Sequence, residues 1–95
     1  MFVIIVRYKA GLEQIDAALP AHRQWLAEGY AEGAFLLAGP QVPRQGGVIL
    51  ARSGDRAVLE ARLALDPFAR GGLADYDVIE MRASSTTDAL AFLQE

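Results

Sequence analysis

The sequence predicts an α+β domain of the ferredoxin-like type, a split βαβ arrangement in which two helices cover one face of a four-stranded antiparallel sheet. Three observations predict it. Apolar stretches of strand length and stretches of helical period follow one another in the order strand, helix, strand, strand, helix, strand. Gly39-Pro40, Gly46-Gly47 and Asp66-Pro67 punctuate the joints between them. The chain of 95 residues suits one domain, 1–95, with a single thin core, since roughly 60 to 65% of the unfolded surface is removed on folding at this size.

Phe2 to Tyr8 is apolar at almost every position and rich in β-branched residues, the pattern of a strand covered on both faces and central in its sheet. Leu12, Ile15 and Leu19 recur at helical spacing, and Pro20 suits the first position of a new or kinked helix. From Pro20 to about Glu32 a stripe of Ala21, Trp25 and Leu26 opposes Arg23, Gln24 and Glu28, with Gly29 and Gly33 loosening and ending the helix. Phe35 to Ala38 reads as a second strand, bent at its far end where Pro40 removes a backbone donor. Gly46-Gly47 turns the chain into a third strand, Val48 to Arg52, and Ser53-Gly54-Asp55 offers capping oxygens to a second helix, Arg56 to Leu65. Val58, Ala61 and Leu65 share a face of that helix, and Pro67 disfavours helical geometry at Asp66, which stops it. After a loop from Phe68 to Ala74, Tyr76 to Arg82 alternates as a fourth strand, and Ser84 to Thr87 can cap a short C-terminal helix holding Leu90 and Phe92.

Counting glycine and leaving out tyrosine, apolar residues make up about 59% of the chain, against ~45 to 50% in ordinary domains. That surplus, with a sheet face bare of helices and carrying residues of Phe2–Val6 and Val48–Leu50, predicts a homodimer joined through the sheet faces. The competing arrangement folds the terminal helix over that face. No cysteine is present, so no disulfide framework or thiolate metal site supports the core, and a reducing cytoplasmic location fits. No signal-peptide pattern opens the chain and no apolar run nears the ~20 residues of a membrane span. The net charge of −3, with eight arginines and Lys9 scattered rather than clustered, excludes nucleic acid as the expected partner.

His22 is the only histidine, and Trp25 and Leu26 lie three and four residues onward, so it faces inward. An ordinary imidazole titrates near pH 6.5 and exchanges protons in the cytosolic range, and a place in the first turn after Pro20 would favour its neutral form. Asp66, at the carboxyl end of the second helix, meets an opposing dipole that a nearby donor would offset. Side-by-side antiparallel helices can bring the two together, the carboxylate fixing the tautomer of the ring. The alternative for each is structural: an inward histidine making one hydrogen bond, and an Asp-Pro helix stop. Arg7 and Tyr8 close the first strand, where Arg7 could grip a substrate carboxylate or simply sit in solvent. Trp25 and Phe68 can wall a flat ligand or pack the core. Metal chemistry is not expected, because one histidine and no cysteine leave only carboxylates to fill a ligand set. No G-x-S-x-G elbow accompanies Ser53, Ser84 or Ser85, and the glycine pairs lack the spacing and lysine of a phosphate loop.

His22 with Trp25-Leu26, then Gly29, Gly33 and Gly39-Pro40, then Asp66-Pro67-Phe68, Gly72-Leu73 and Tyr76, resembles the YciI-like (YCII-related) family over nearly the whole chain. The resemblance implies a dimeric α/β-barrel of ferredoxin-like protomers with a His-Asp pair lining a pocket, which falls by position on His22 and Asp66. It also implies lyase-like or isomerase-like proton transfer on small, often aromatic compounds. The expectation is a cytoplasmic homodimer without cofactor, in which His22 and Asp66 act on a small organic acid or phenolic compound bound by Arg7, Tyr8, Trp25, Gly39, Pro40 and Phe68. The alternatives are a non-catalytic dimeric ligand-binding or accessory module, and a small oxygenase, since haem-degrading and cofactor-free oxygenases share this kind of barrel.

Overall fold

The computed structural model describes residues 1–95. Strand β1 (Phe2–Tyr8) is followed by helix α1 (Leu12–Ala31), strands β2 (Phe35–Pro40) and β3 (Gly46–Ala51), helices α2 (Arg56–Ala64) and α3 (Pro67–Arg70), and strand β4 (Ala74–Glu80). A six-residue stretch of 3₁₀ helix, Asp88–Leu93, ends the chain. The strands lie in the order β2-β3-β1-β4 and every neighbouring pair is antiparallel. This is the ferredoxin-like arrangement, with the apolar first strand in the middle as its composition predicts. No helix is long and apolar enough to cross a membrane.

Alternation along the strands divides the sheet into two chemically distinct faces. Phe2, Ile4 and Val6 of β1 and Ile49 and Ala51 of β3 are buried on the helix side, where they join Ile15 and Trp25 of α1, Leu59 and Leu63 of α2, and Phe68 of α3 in one core. Removing each larger side chain from water contributes ~1.5 to 3 kcal/mol. On the other face the register sets Val3 beside Leu50 and Ile79, and Ile5 beside Val48 and Asp77. Leu37 of β2, opposite Leu50, extends the same patch, and both Leu37 and Ile79 are half exposed. The terminal 3₁₀ turns bury none of their residues and hold to the rest of the chain through Glu95 N–H to the Ala83 carbonyl, Glu95 with Ser53, and Phe92 beneath Arg52. They leave the patch uncovered, against the alternative in which they fold across it.

Several local expectations are corrected. Helix α1 does not restart at Pro20 but runs through it, because the residue that loses its amide partner, Asp16, lies on an exposed turn where water reaches the carbonyl. Gly29 does not loosen the helix; it is buried inside it, and a Cβ there would stand 2.2 Å from the Phe35 ring. Gly33, at φ 75°, is the residue that ends the turn. The second helix buries Leu59 and Leu63, whereas Val58, Ala61 and Leu65 face solvent. Two apolar stripes compete on that helix and periodicity alone does not choose between them. Gly46-Gly47 is not a turn but the start of β3, where a Cβ on Gly46 would lie 1.8 Å from the Val6 carbonyl oxygen. β2 likewise continues through Pro40, which sits on an edge strand with its missing donor turned away from the ladder. Asp55 caps α2 as expected, accepting from Ala57 N–H at 2.8 Å.

Candidate active site

His22 stands in the middle of α1, on the stripe Ile15, Leu19, His22, Trp25, Leu26 and Gly29 that faces the sheet and the α2–α3 junction. It is therefore not at a helix start, against the expectation from Pro20. Its place is set by packing. The ring stacks flat on Phe68, centroids 4.0 Å apart and planes 7° from parallel, and Trp25 flanks it at 5.6 Å. Trp25 is pinned in turn by its Nε1–H, which donates to the Arg62 carbonyl at 3.1 Å and ties α1 to the last turn of α2.

Asp66 follows the last turn of α2 and is at the same time the N-cap of α3, with Pro67 in the first position after it. The expectation of an unfavourable dipole is reversed by that short helix: Phe68 N–H donates to Asp66 Oδ1 at 3.0 Å. The carboxylate is fully buried. Its Oδ1 also accepts from His22 Nδ1 at 2.8 Å, and its Oδ2 accepts from the Tyr76 hydroxyl at 2.5 Å, at the short end of charge-assisted bonds. Three donors from three elements thus satisfy the charge, and no buried polar side-chain atom in the molecule lacks a partner. Burial pushes the Tyr76 phenol well above the ordinary tyrosine value, with the bond to Asp66 adding to it, so Tyr76 is a donor at every pH of interest.

With Nδ1–H given to Asp66, the free atom of the ring is Nε2. His22 lines a cavity of about 360 Å³ between α1 and the β2–β3–β1 part of the sheet. Leu19, Leu26, Val6, Ile49 and Phe68 supply apolar wall, and Tyr8, Arg23 and Arg44 supply polar groups. The volume matches a small organic molecule, near the lower end of the ~300 to 1,000 Å³ usual for such sites. The arrangement of ring and carboxylate resembles the His-Asp half of a catalytic triad, in which the carboxylate fixes the tautomer and orientation of the ring. No three His, Asp or Glu side chains converge here or anywhere else in the chain.

Of the residues expected at a ligand, Tyr8, His22, Gly39, Pro40 and Phe68 do line this cavity and Asp66 lies directly behind His22. Trp25 does not reach it; its ring is core, supporting His22 from the side. Arg7 lies on the opposite face of the sheet, where the two-pronged grip foreseen for a substrate is made to Asp77 at 3.0 and 3.2 Å. The period of the strand decides this, since Tyr8 and Arg7 necessarily point to opposite faces. Sequence reasoning missed Arg44, in the β2–β3 loop, and missed Tyr76 as a partner of Asp66. A signal existed for Tyr76, which shares the helix side of β4 with Val78; none existed for Arg44. Asp16 accepts from Arg44 at 2.6 Å and strengthens the guanidinium's hold on its proton.

Comparison with known proteins agrees with the fold. Among solved structures, the fold is similar to a 5-chloro-2-hydroxyhydroquinone dehydrochlorinase (TftG) from Burkholderia phenoliruptrix AC1100, determined in complex with 2,5-dihydroxybenzoquinone. The TM-score is 0.72 at 18% identity, covering 86% of this chain and 94% of that one. An antibiotic biosynthesis monooxygenase is similar at a TM-score of 0.56 and 25% identity, covering 87% of this chain and 98% of that one. No curated protein matches in sequence. The model of the YCII-related domain matches residues 1–82, which span all four strands and the His22–Asp66 pair, and the chain belongs to that family.

Proposed function

We propose that this protein is a small enzyme that removes a proton from a phenolic compound or small organic acid, with elimination or isomerisation following. His22 Nε2 is the base, and Asp66 holds Nδ1–H and stabilises the imidazolium that forms. The single observation that carries the reading is the buried three-donor carboxylate fixed to one nitrogen of an imidazole that lines a cavity. Phe68, flat against the ring, keeps its plane constant as the proton moves. The likeness to a dehydrochlorinase of hydroxyhydroquinones supports the phenolic class. On a chlorinated hydroxyhydroquinone one hydroxyl proton moves to the chlorine-bearing carbon as the ring ketonises, the base takes a second hydroxyl proton as chloride leaves that carbon, and a hydroxyquinone and hydrogen chloride account for all atoms.

The protein is proposed to act as a cytoplasmic homodimer joined through the bare sheet faces, which the apolar patch of Val3, Ile5, Leu37, Val48, Leu50 and Ile79 supports. The test of function is release of chloride and of quinone absorbance from 5-chloro-2-hydroxyhydroquinone and related hydroquinones, in the wild type and in His22→Gln. Loss of roughly 10² to 10⁴ in kcat with the fold intact is expected. Undiminished turnover in the variant would remove His22 as the base. Binding without turnover of any compound would favour the ligand-binding module, in which the pair only ties α1 to the α2–α3 junction.

A further inference from the structure

The chain carries twelve acidic against nine basic side chains, yet the cavity wall reverses that balance. Its lining includes two guanidiniums, Arg23 and Arg44, and no carboxylate. The nearby Asp66 is fully buried behind the His22 ring, its oxygens occupied by three donors. Arg44 is paired with Asp16 outside the lining and Arg23 makes no ion pair, so the wall keeps one unpaired positive charge beside its apolar surfaces, which is complementary to an anion with an apolar body.

Arg44 is the better placed of the two. Its side chain is held at the cavity between Asp16 on α1, which accepts from one Nη2–H, and the ring of Tyr8 on β1, 6.0 Å from the guanidinium carbon. Two fixed supports reduce the freedom that binding would otherwise remove, and one carboxylate leaves most of the five N–H groups available for a planar, two-oxygen acceptor. Arg23 follows His22 on α1, is exposed and makes no ion pair.

We propose that Arg44, assisted by Arg23, is the specificity determinant of this cavity and selects compounds carrying an ionised carboxylate or phenolate. The anionic group sits at Arg44 while the apolar body lies along Leu19, Leu26 and Phe68 toward His22. The inference rests on reading the cavity as the substrate site, and not on His22 performing chemistry there.

The test measures dissociation constants by calorimetric titration for matched pairs: 4-hydroxybenzoate against 4-hydroxybenzamide for the carboxylate source, and 2,5-dihydroxybenzoquinone against its dimethyl ether for the ionised hydroxyl. In the wild type at least one anion should bind roughly tenfold more tightly than its neutral partner, a preference that shrinks as salt rises. Arg44→Met should erase the preference without weakening the neutral compound, Arg44→Lys should keep part of it, and Arg23→Met should cost about threefold. His22→Gln should keep the preference even where turnover is lost, which separates failure of this proposal from failure of the proposed chemistry. Equal binding of both members of each pair, binding of none of them, or an unchanged preference in a folded Arg44→Met would overturn it.

Discussion

Asp66 is the residue on which the site depends, because a buried carboxylate is tolerated only while donors surround it. Tyr76 supplies one of the three. Tyr76→Phe should leave Oδ2 unpaired and lower stability by about 1 to 3 kcal/mol, measured by urea unfolding. The same substitution has a pH signature. The Tyr76 phenol is raised above its ordinary value of 10.0 in the folded state, mainly by burial. The folded chain therefore keeps a proton that the unfolded chain releases, so this contribution is complete below pH 10 and falls away as pH rises further. Between about pH 9 and about pH 11 the wild type should lose more stability than Tyr76→Phe, and identical slopes would contradict the assignment. His22 and Asp66 were legible as candidates from residue type and position, though both were placed for the wrong electrostatic reason. Spacing along the chain turns Tyr76 to the helix side of β4, but its bond to Asp66 and that of the Phe68 amide depend on a strand register and a three-residue helix cap that spacing does not display.

At the scale of elements, the site is held by close approaches that only glycine permits. Gly29 lets α1 settle on Phe35, and Gly46 lets β3 pair tightly beside Val6. Gly29→Ala should destabilise by about 1 to 3 kcal/mol despite the better helix propensity of alanine, because the Phe35 ring must move out of a packed core. Gly46→Ala should be the more severe of the two, since its neighbour at 1.8 Å is a backbone oxygen that cannot rotate aside. Comparison of the two thermal midpoints checks the order; Gly46→Ala as stable as wild type would show that the sheet end is pliable. The element order was readable in advance from the switch between strand-like and helical period. The buried face of α2 was not, because Val58-Ala61-Leu65 and Leu59-Leu63 are both apolar, and only contact with the sheet selects the second.

For the whole molecule, the central fact is a sheet with one covered face and one apolar face without cover. Val3, Ile5, Val48 and Leu50 are partly exposed in the single chain, with Leu37 and Ile79 more so, and Arg7, Asp75, Asp77 and Lys9 form charged pairs at one end. Such an apolar centre beside a polar border is the anatomy of an interface. If the proposed sheet-face homodimer forms, Ile5→Asp should convert it to monomer in sedimentation equilibrium, while its helix-face neighbour Ile4 stays buried and the fold persists. A wild-type chain that sediments as a monomer at micromolar concentration would dismiss the sheet-face dimer.

The sequence by itself determined the fold class, the order of its strands and helices, and the two residue types at the heart of the site. These depend on short-range period, on glycine and proline geometry, and on the scarcity of histidine. Tertiary structure decided which helix face is buried, which imidazole nitrogen is free, and that Arg44 rather than Arg7 faces the cavity. Each of those outcomes depends on the register between segments tens of residues apart, and a shift of one residue along a strand turns a side chain to the other face.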